Sequence, residues 1–124
     1  MSTKFYECSI CGNVVHKVVD SGMPLICCGK EMVELVLGTV EASVEKHLPY
    51  VTWIDEKTLR VQVGSVAHPM LEAHHIEFIY VETETGGIRV DLTDQPEAII
   101  ALGDAKAVAV YEYCNLHGLW KTEL

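Results

Sequence analysis

Four of the chain's five cysteines, Cys8, Cys11, Cys27 and Cys28, fall within its first 28 residues, and this crowding limits what the N-terminal segment can fold around. Few large apolar side chains lie between them, so residues 1–36 cannot bury much core by themselves. Segments below about 40 residues generally need a metal or disulfides to fold. An odd cysteine total does not suit a secreted disulfide framework, and in a reducing compartment clustered thiols point to metal. Cys8-Ser9-Ile10-Cys11 runs directly into Gly12, and Cys27-Cys28 into Gly29. Glycine behind each pair permits the tight turn that aims two thiolates at one ion. Four thiolates favour a tetrahedral site for zinc or iron, and the metal stabilises the loop closed between the pairs. The pattern does not choose between those ions, and buried or redox-active thiols are a further reading. Zinc ribbons usually repeat Cys-x-x-Cys. Here the second pair is adjacent, so the site is expected to be distorted.

From about Leu37 onward the chain is long enough for a real core, and it reads as strands. Leu59, Val61 and Val63 alternate with Arg60 and Gln62, and Ile88, Val90 and Leu92 with Arg89 and Asp91. Further strands are expected over Pro49–Ile54, Ile76–Glu82, Glu97–Leu102 and Ala105–Tyr113. Asp55-Glu56-Lys57, Thr85-Gly86-Gly87, Asp94-Gln95-Pro96 and Gly103-Asp104 separate them as turns. Short strands joined by regular turns predict a mostly β fold, an antiparallel sandwich or barrel. The alanine-rich stretch Ala101–Val110 is the one place where a helix competes.

A net charge of −9 makes nucleic acid a poor partner, because such binding needs clustered Lys and Arg. It also repels small anions at long range, so a site for one must carry its own local positive charge. No apolar run reaches the roughly 18 residues needed to cross a membrane. Met1-Ser2-Thr3-Lys4 leads straight into Phe5 and Tyr6 without a signal-like apolar segment. A cytoplasmic protein without membrane or nucleic-acid partners is expected.

The six histidines are His16, His47, His68, His74, His75 and His117. Four have distinctive settings. His47 lies in Glu45-Lys46-His47-Leu48-Pro49, and His68 and His74 share one loop. His117 closes Cys114-Asn115-Leu116-His117-Gly118. Imidazoles suit iron, copper, nickel and zinc, and a thiolate adds strong electron donation. Taken singly, each is more simply a solvated histidine or a small core cysteine. Three separate loop-like segments offering ligand types together shift that balance. His16 sits between valines and is expected to face solvent on a strand. His75 should point away from its neighbour His74 on an extended segment.

With these residues in place the chain resembles the desulfoferrodoxin family of superoxide reductases over nearly its whole length. The N-terminal part resembles desulforedoxin, whose hallmark is Cys-x-x-Cys followed by adjacent cysteines, here Cys8, Cys11, Cys27 and Cys28. The remainder is similar to the catalytic domain shared by superoxide reductases and neelaredoxins. The similarity is carried by Glu45-Lys46-His47-Leu48-Pro49, Gly64-Ser65-Val66-Ala67-His68-Pro69-Met70 and Tyr113-Cys114-Asn115-Leu116-His117-Gly118-Leu119-Trp120. The resemblance implies a small desulforedoxin-like metal-binding domain over residues 1–36 and an immunoglobulin-like antiparallel β-sandwich over 37–124, in a homodimer. It implies two non-haem irons. One would be held by the cysteine quartet and would pass electrons. The other would be square-pyramidal, with His47, His68, His74 and His117 equatorial and Cys114 axial, opposite an open position. The implied activity is one-electron reduction of superoxide to hydrogen peroxide, an oxygen detoxification, with re-reduction by an external donor such as rubredoxin. Lys46 is the candidate for the local positive charge that attracts superoxide. Glu45, by resemblance, is the side chain that occupies the sixth position once the iron is oxidised. Family members often carry tryptophan where this chain has His75, and the spacing from His68 favours His74 as the ligand. An electron relay, a zinc-binding interaction module and a dismutase are the rival functions.

Overall fold

The structure is a computed structural model that describes residues 3–38, 47–64 and 67–124. Glu45 and Lys46 therefore lie outside the described residues. The chain divides into two compact units, Met1–Val36 and Leu37–Leu124. No described helix is long and apolar enough to cross a membrane.

The first unit contains β1 (Phe5–Glu7), β2 (Val14–His16), β3 (Ile26–Cys27), β4 (Lys30–Glu31) and β5 (Val33–Glu34). β1 is central in an antiparallel sheet of order β2-β1-β5, and β3 and β4 form a separate hairpin. Only Phe5 and Cys8 of its described hydrophobic residues are buried, whereas Ile10, Val18, Val19, Met23, Ile26, Val33 and Val36 are exposed. His16 is exposed at the end of β2, its ring tilted against Phe5.

The second unit holds β6 (Pro49–Asp55), β7 (Thr58–Val63), β8 (Ile76–Thr83), β9 (Gly86–Asp91), β10 (Glu97–Ala101), β11 (Ala107–Cys114) and β12 (Gly118–Glu123). They form two antiparallel sheets, β10-β7-β6 and β12-β11-β8-β9. The alternation of β7 buries Leu59, Val61 and Val63 completely. These pack in one core with Ile76, Ile79 and Val81 of β8, Val110 and Cys114 of β11, and Ile100 and Leu102. Each such side chain contributes about 1.5–3 kcal/mol on burial, and this core is the rigid base on which the site stands. The expected β-sandwich is what this unit forms. The helix considered over Ala101–Val110 does not occur. Gly103 takes φ 62°, Leu102 N–H donates to Lys57 O, and Ala105 N–H donates to Leu102 O, which turns the chain between β10 and β11.

Candidate metal centres

Five donor side chains meet at one end of the sandwich because of how its strands pair. Cys114 ends β11, and His117 lies in the turn that leads to β12. His68 and His74 are on the connection from β7 to β8, and His47 precedes β6. Antiparallel register puts Pro49 opposite Val63 and Ile76 opposite Cys114, so the start of β6 meets the end of β7, and the start of β8 meets the end of β11. Thr122 Oγ1 donates to Pro49 O at 2.7 Å, tying the two sheets together at this end. Gly64 N–H donates to Leu48 O at 2.9 Å, and His68 N–H to Val63 O at 3.3 Å.

The four imidazoles form a closed square. Ring centroids are 4.8 Å apart for His47–His68, 4.6 Å for His68–His74, 4.9 Å for His74–His117 and 4.8 Å for His117–His47. Successive rings stand at 76°, 81°, 83° and 90°. His47 Nε2 lies 3.0 Å from His117 Nδ1 and 3.2 Å from His68 Nε2. Two nitrogens bound at right angles to one ion at about 2.1 Å would be ~3.0 Å apart, so the spacing fits adjacent corners around a single metal. Cys114 Sγ is 3.6 Å from His68 Nε2 and 3.9 Å from His117 Nδ1. The five donor atoms lie within 4.8 Å of one another. Five donors of this kind exceed the four-coordinate tetrahedral preference of structural zinc and suit iron, which accepts imidazole and thiolate together.

The chain prepares these donors for a cation. His68 Nδ1–H donates to Pro69 O at 2.7 Å, which leaves Nε2 as the ligand atom. Burial, opposed by that hydrogen bond and reinforced by the neighbouring imidazoles, lowers the His68 pKa to about 4. It is therefore neutral and able to ligate. Burial pushes the Cys114 thiol up, while the backbone N–H groups of Leu116 and His117 pull it down. A buried thiolate needs a positive partner.

The cysteine quartet is assembled within the first unit. Gly12 N–H donates to Cys8 O at 2.9 Å, and Cys11 N–H approaches Cys8 Sγ at 3.5 Å. Cys27 is the last residue of β3, and Cys28-Gly29 is the two-residue turn into β4. Cys28 has φ 55° and Gly29 φ 72°, the positive pair that a type I′ hairpin requires. This is how two adjacent cysteines serve one site: the first sits on the strand and the second on the turn. Sγ atoms are 3.6 Å apart for Cys11–Cys27 and 4.0 Å for Cys27–Cys28, against ~3.8 Å for a tetrahedron with metal–sulfur bonds of about 2.3 Å. The backbone N–H groups of Cys11 and Ile10 hold Cys8 down to about 6. The neighbouring thiols, Cys11 first, push Cys28 up to about 12. Four thiols this close cannot all ionise without a cation. All five cysteines are free.

Other supporting residues do not announce themselves in the sequence. Trp120 stacks on His47 at 5.1 Å and 28°, and its Nε1–H donates to His117 O at 3.0 Å. It thus braces two corners of the square. Glu112 is fully buried, and neither carboxylate oxygen has a hydrogen-bond partner among the described residues. Burial raises its pKa well above the usual range. His75 turns away from the cluster, as expected. Its Nδ1 meets Leu71 O at 2.8 Å and its Nε2 meets Glu77 Oε1 at 2.9 Å.

Comparison with known proteins gives a consistent result. The family model described as Desulfoferrodoxin matches residues 39–123, and that described as Desulfoferrodoxin, N-terminal domain, matches residues 2–35. The chain is 43% identical to a desulfoferrodoxin of Syntrophotalea carbinolica over 95% of its own length and 94% of the relative's. It is 42% identical to a desulfoferrodoxin of Nitratidesulfovibrio vulgaris over 97% and 95%. Among solved structures, the superoxide reductase from Treponema pallidum superposes with a TM-score of 0.81 at 31% identity, covering 99% of this chain and all of that one.

Proposed function

The chain belongs to the desulfoferrodoxin family, and from that premise we infer that it is a two-iron superoxide reductase. The observation that carries this reading is the square of His47, His68, His74 and His117 with the Cys114 sulfur beside it. These five side chains would hold the iron, and a small anion would be its further ligand. Iron there would supply one electron to superoxide, which two protons complete to hydrogen peroxide, and an external donor would restore that electron.

The chain's own residues do the rest. Burial of His47, His68 and Cys114 excludes water from the donor side, and the Pro69 carbonyl keeps the His68 proton on Nδ1. We assign Lys46 the local positive charge. It is next to His47 in sequence, and a chain of net charge −9 needs a cation to draw an anion in. Glu45 is assigned as a carboxylate that would ligate the oxidised iron, on the resemblance of its motif.

Residues 1–36 would form the desulforedoxin-like iron domain and residues 37–124 the catalytic domain. Cys11 and Cys28 are exposed, which suits electron entry through the quartet from a donor of the rubredoxin kind. Five free thiols suit a reducing, cytoplasmic setting. A homodimer is the family expectation.

Metal content and the visible spectrum, before and after mild oxidation, test the reading together with superoxide consumption. Two irons per chain, two thiolate-derived bands and consumption that stops when the reductant is exhausted are expected. Stoichiometric zinc without colour, and no activity after iron reconstitution, would sink it.

A further inference from the structure

Cys114 and His74 come to the five-donor cluster from segments far apart in sequence, and the residue beside Cys114 joins them. Asn115 Oδ1 accepts from His75 N–H at 2.8 Å, and its Nδ2–H donates to Ala73 O at 3.1 Å. Its own backbone N–H donates to His75 O at 3.1 Å. These three bonds bracket His74, reaching the carbonyl before it and both peptide groups after it. His74 itself is held by Leu71 in a reciprocal pair, at 2.8 and 3.1 Å.

The ladder explains why a side chain is needed here. β8 and β11 pair in continuous register from Ala109 opposite Glu82 to Tyr113 opposite Phe78. The register then slips, and Cys114 opposes Ile76. Beyond that point β11 turns away toward His117, and its last backbone rung to the His74 segment is Asn115 N–H to His75 O. A carboxamide carries the same C=O and N–H as a peptide group. The Asn115 side chain therefore supplies both missing rungs, where a carboxylate could supply only the acceptor.

We propose that Asn115 is a positioning residue that fixes the His74 imidazole relative to the Cys114 sulfur, and so sets how firmly the five-donor site holds its metal. The proposal rests on the reading of that cluster as the catalytic iron site. Partners that orient metal ligands typically carry a 10–100-fold effect on metal affinity.

The test follows iron loss to a chelator from the full-length two-iron protein, with the four-cysteine band as internal control. Asn115→Ala should release the five-donor iron ~10-fold or more faster and shift the thiolate-to-iron band. Asn115→Asp keeps the acceptor but sets a carboxylate oxygen against Ala73 O, and should also release iron faster. The quartet band should not change in either variant. Val61→Ala, in the apolar core and not itself a donor or a partner of Asn115, controls for general loss of stability and should leave the thiolate-to-iron band in place. Wild-type release with an unmoved band in both Asn115 variants would overturn the proposal, as would an equal band shift in Val61→Ala. If the wild-type cluster takes up no iron at all, the functional reading itself fails, a result distinct from either.

Discussion

Burial works against the Cys114 thiolate, and the backbone N–H groups of Leu116 and His117 favour it. Its sulfur is thus committed to a cation rather than to solvent. Serine in its place offers a hard oxygen that does not ionise under these conditions and donates little to iron. Cys114→Ser should abolish the thiolate-to-iron band and reduce the superoxide rate by at least ~10-fold, with the quartet band intact. Absorption spectra and pulse radiolysis would show it. A variant that kept band and rate would mean that the thiolate ligand lies elsewhere. Lys46 belongs to the same scale. Lys46→Ala should slow the second-order reaction with superoxide and flatten its dependence on ionic strength, at unchanged iron content. Identical rates at low salt would remove it from the mechanism. The donors themselves were legible in the sequence, because histidine and cysteine carry their ligand chemistry as residue types. Trp120 as a brace, the Pro69 carbonyl and the Asn115 amide as holders were not, since those roles depend on which backbone groups folding leaves nearby.

At the scale of elements, the β11–β12 connection carries two of the five donors on a short turn. Cys114 pairs with Gly118, and Gly118 has φ 81°, a left-handed conformation that costs a residue with a side chain about 1–2 kcal/mol. Gly118→Ala should displace His117, adjacent to it, and weaken iron binding at this site by roughly tenfold, since ~1.4 kcal/mol corresponds to that factor. Competition with a chelator reads the change. Unchanged affinity would show that the turn absorbs the strain without moving the ligand. The same region marks where the sequence was hardest to read. The alternating β7 and β9 were plain, but Gly118–Glu123 shows no alternation because adjacent Leu119 and Trp120 are both buried. The strands of the first unit, two or three residues each, are too short to leave a periodic signature. Their order comes from turns and from the cysteines.

For the whole molecule, the two units differ in what holds them. The second has a continuous apolar core that exists without its metal. Among the described hydrophobic residues of the first, only Phe5 and Cys8 are buried, too little to offset backbone entropy of about 1–2 kcal/mol per ordered residue. Bringing Cys8, Cys11, Cys27 and Cys28 to one ion adds order that so small a core does not supply, and binding free energy in such a unit is folding free energy. Removal of both metals by acid and chelator, followed by return to neutral pH, should therefore separate them. Backbone amides of β1, β2 and β5 should exchange with solvent rapidly, while those of β7, β8 and β11 stay protected. Cys28→Ser should act in the same direction without any chelator, loosening the first unit and leaving the thiolate-to-iron band of the second unchanged. Hydrogen exchange read by mass spectrometry distinguishes the cases. Protection retained in β1 and β5 after metal removal would mean that the small unit draws its stability from something other than its ion. Loss of the Cys114 band in Cys28→Ser would mean that the small unit scaffolds the large one, against what their separate cores and separate ligand sets imply.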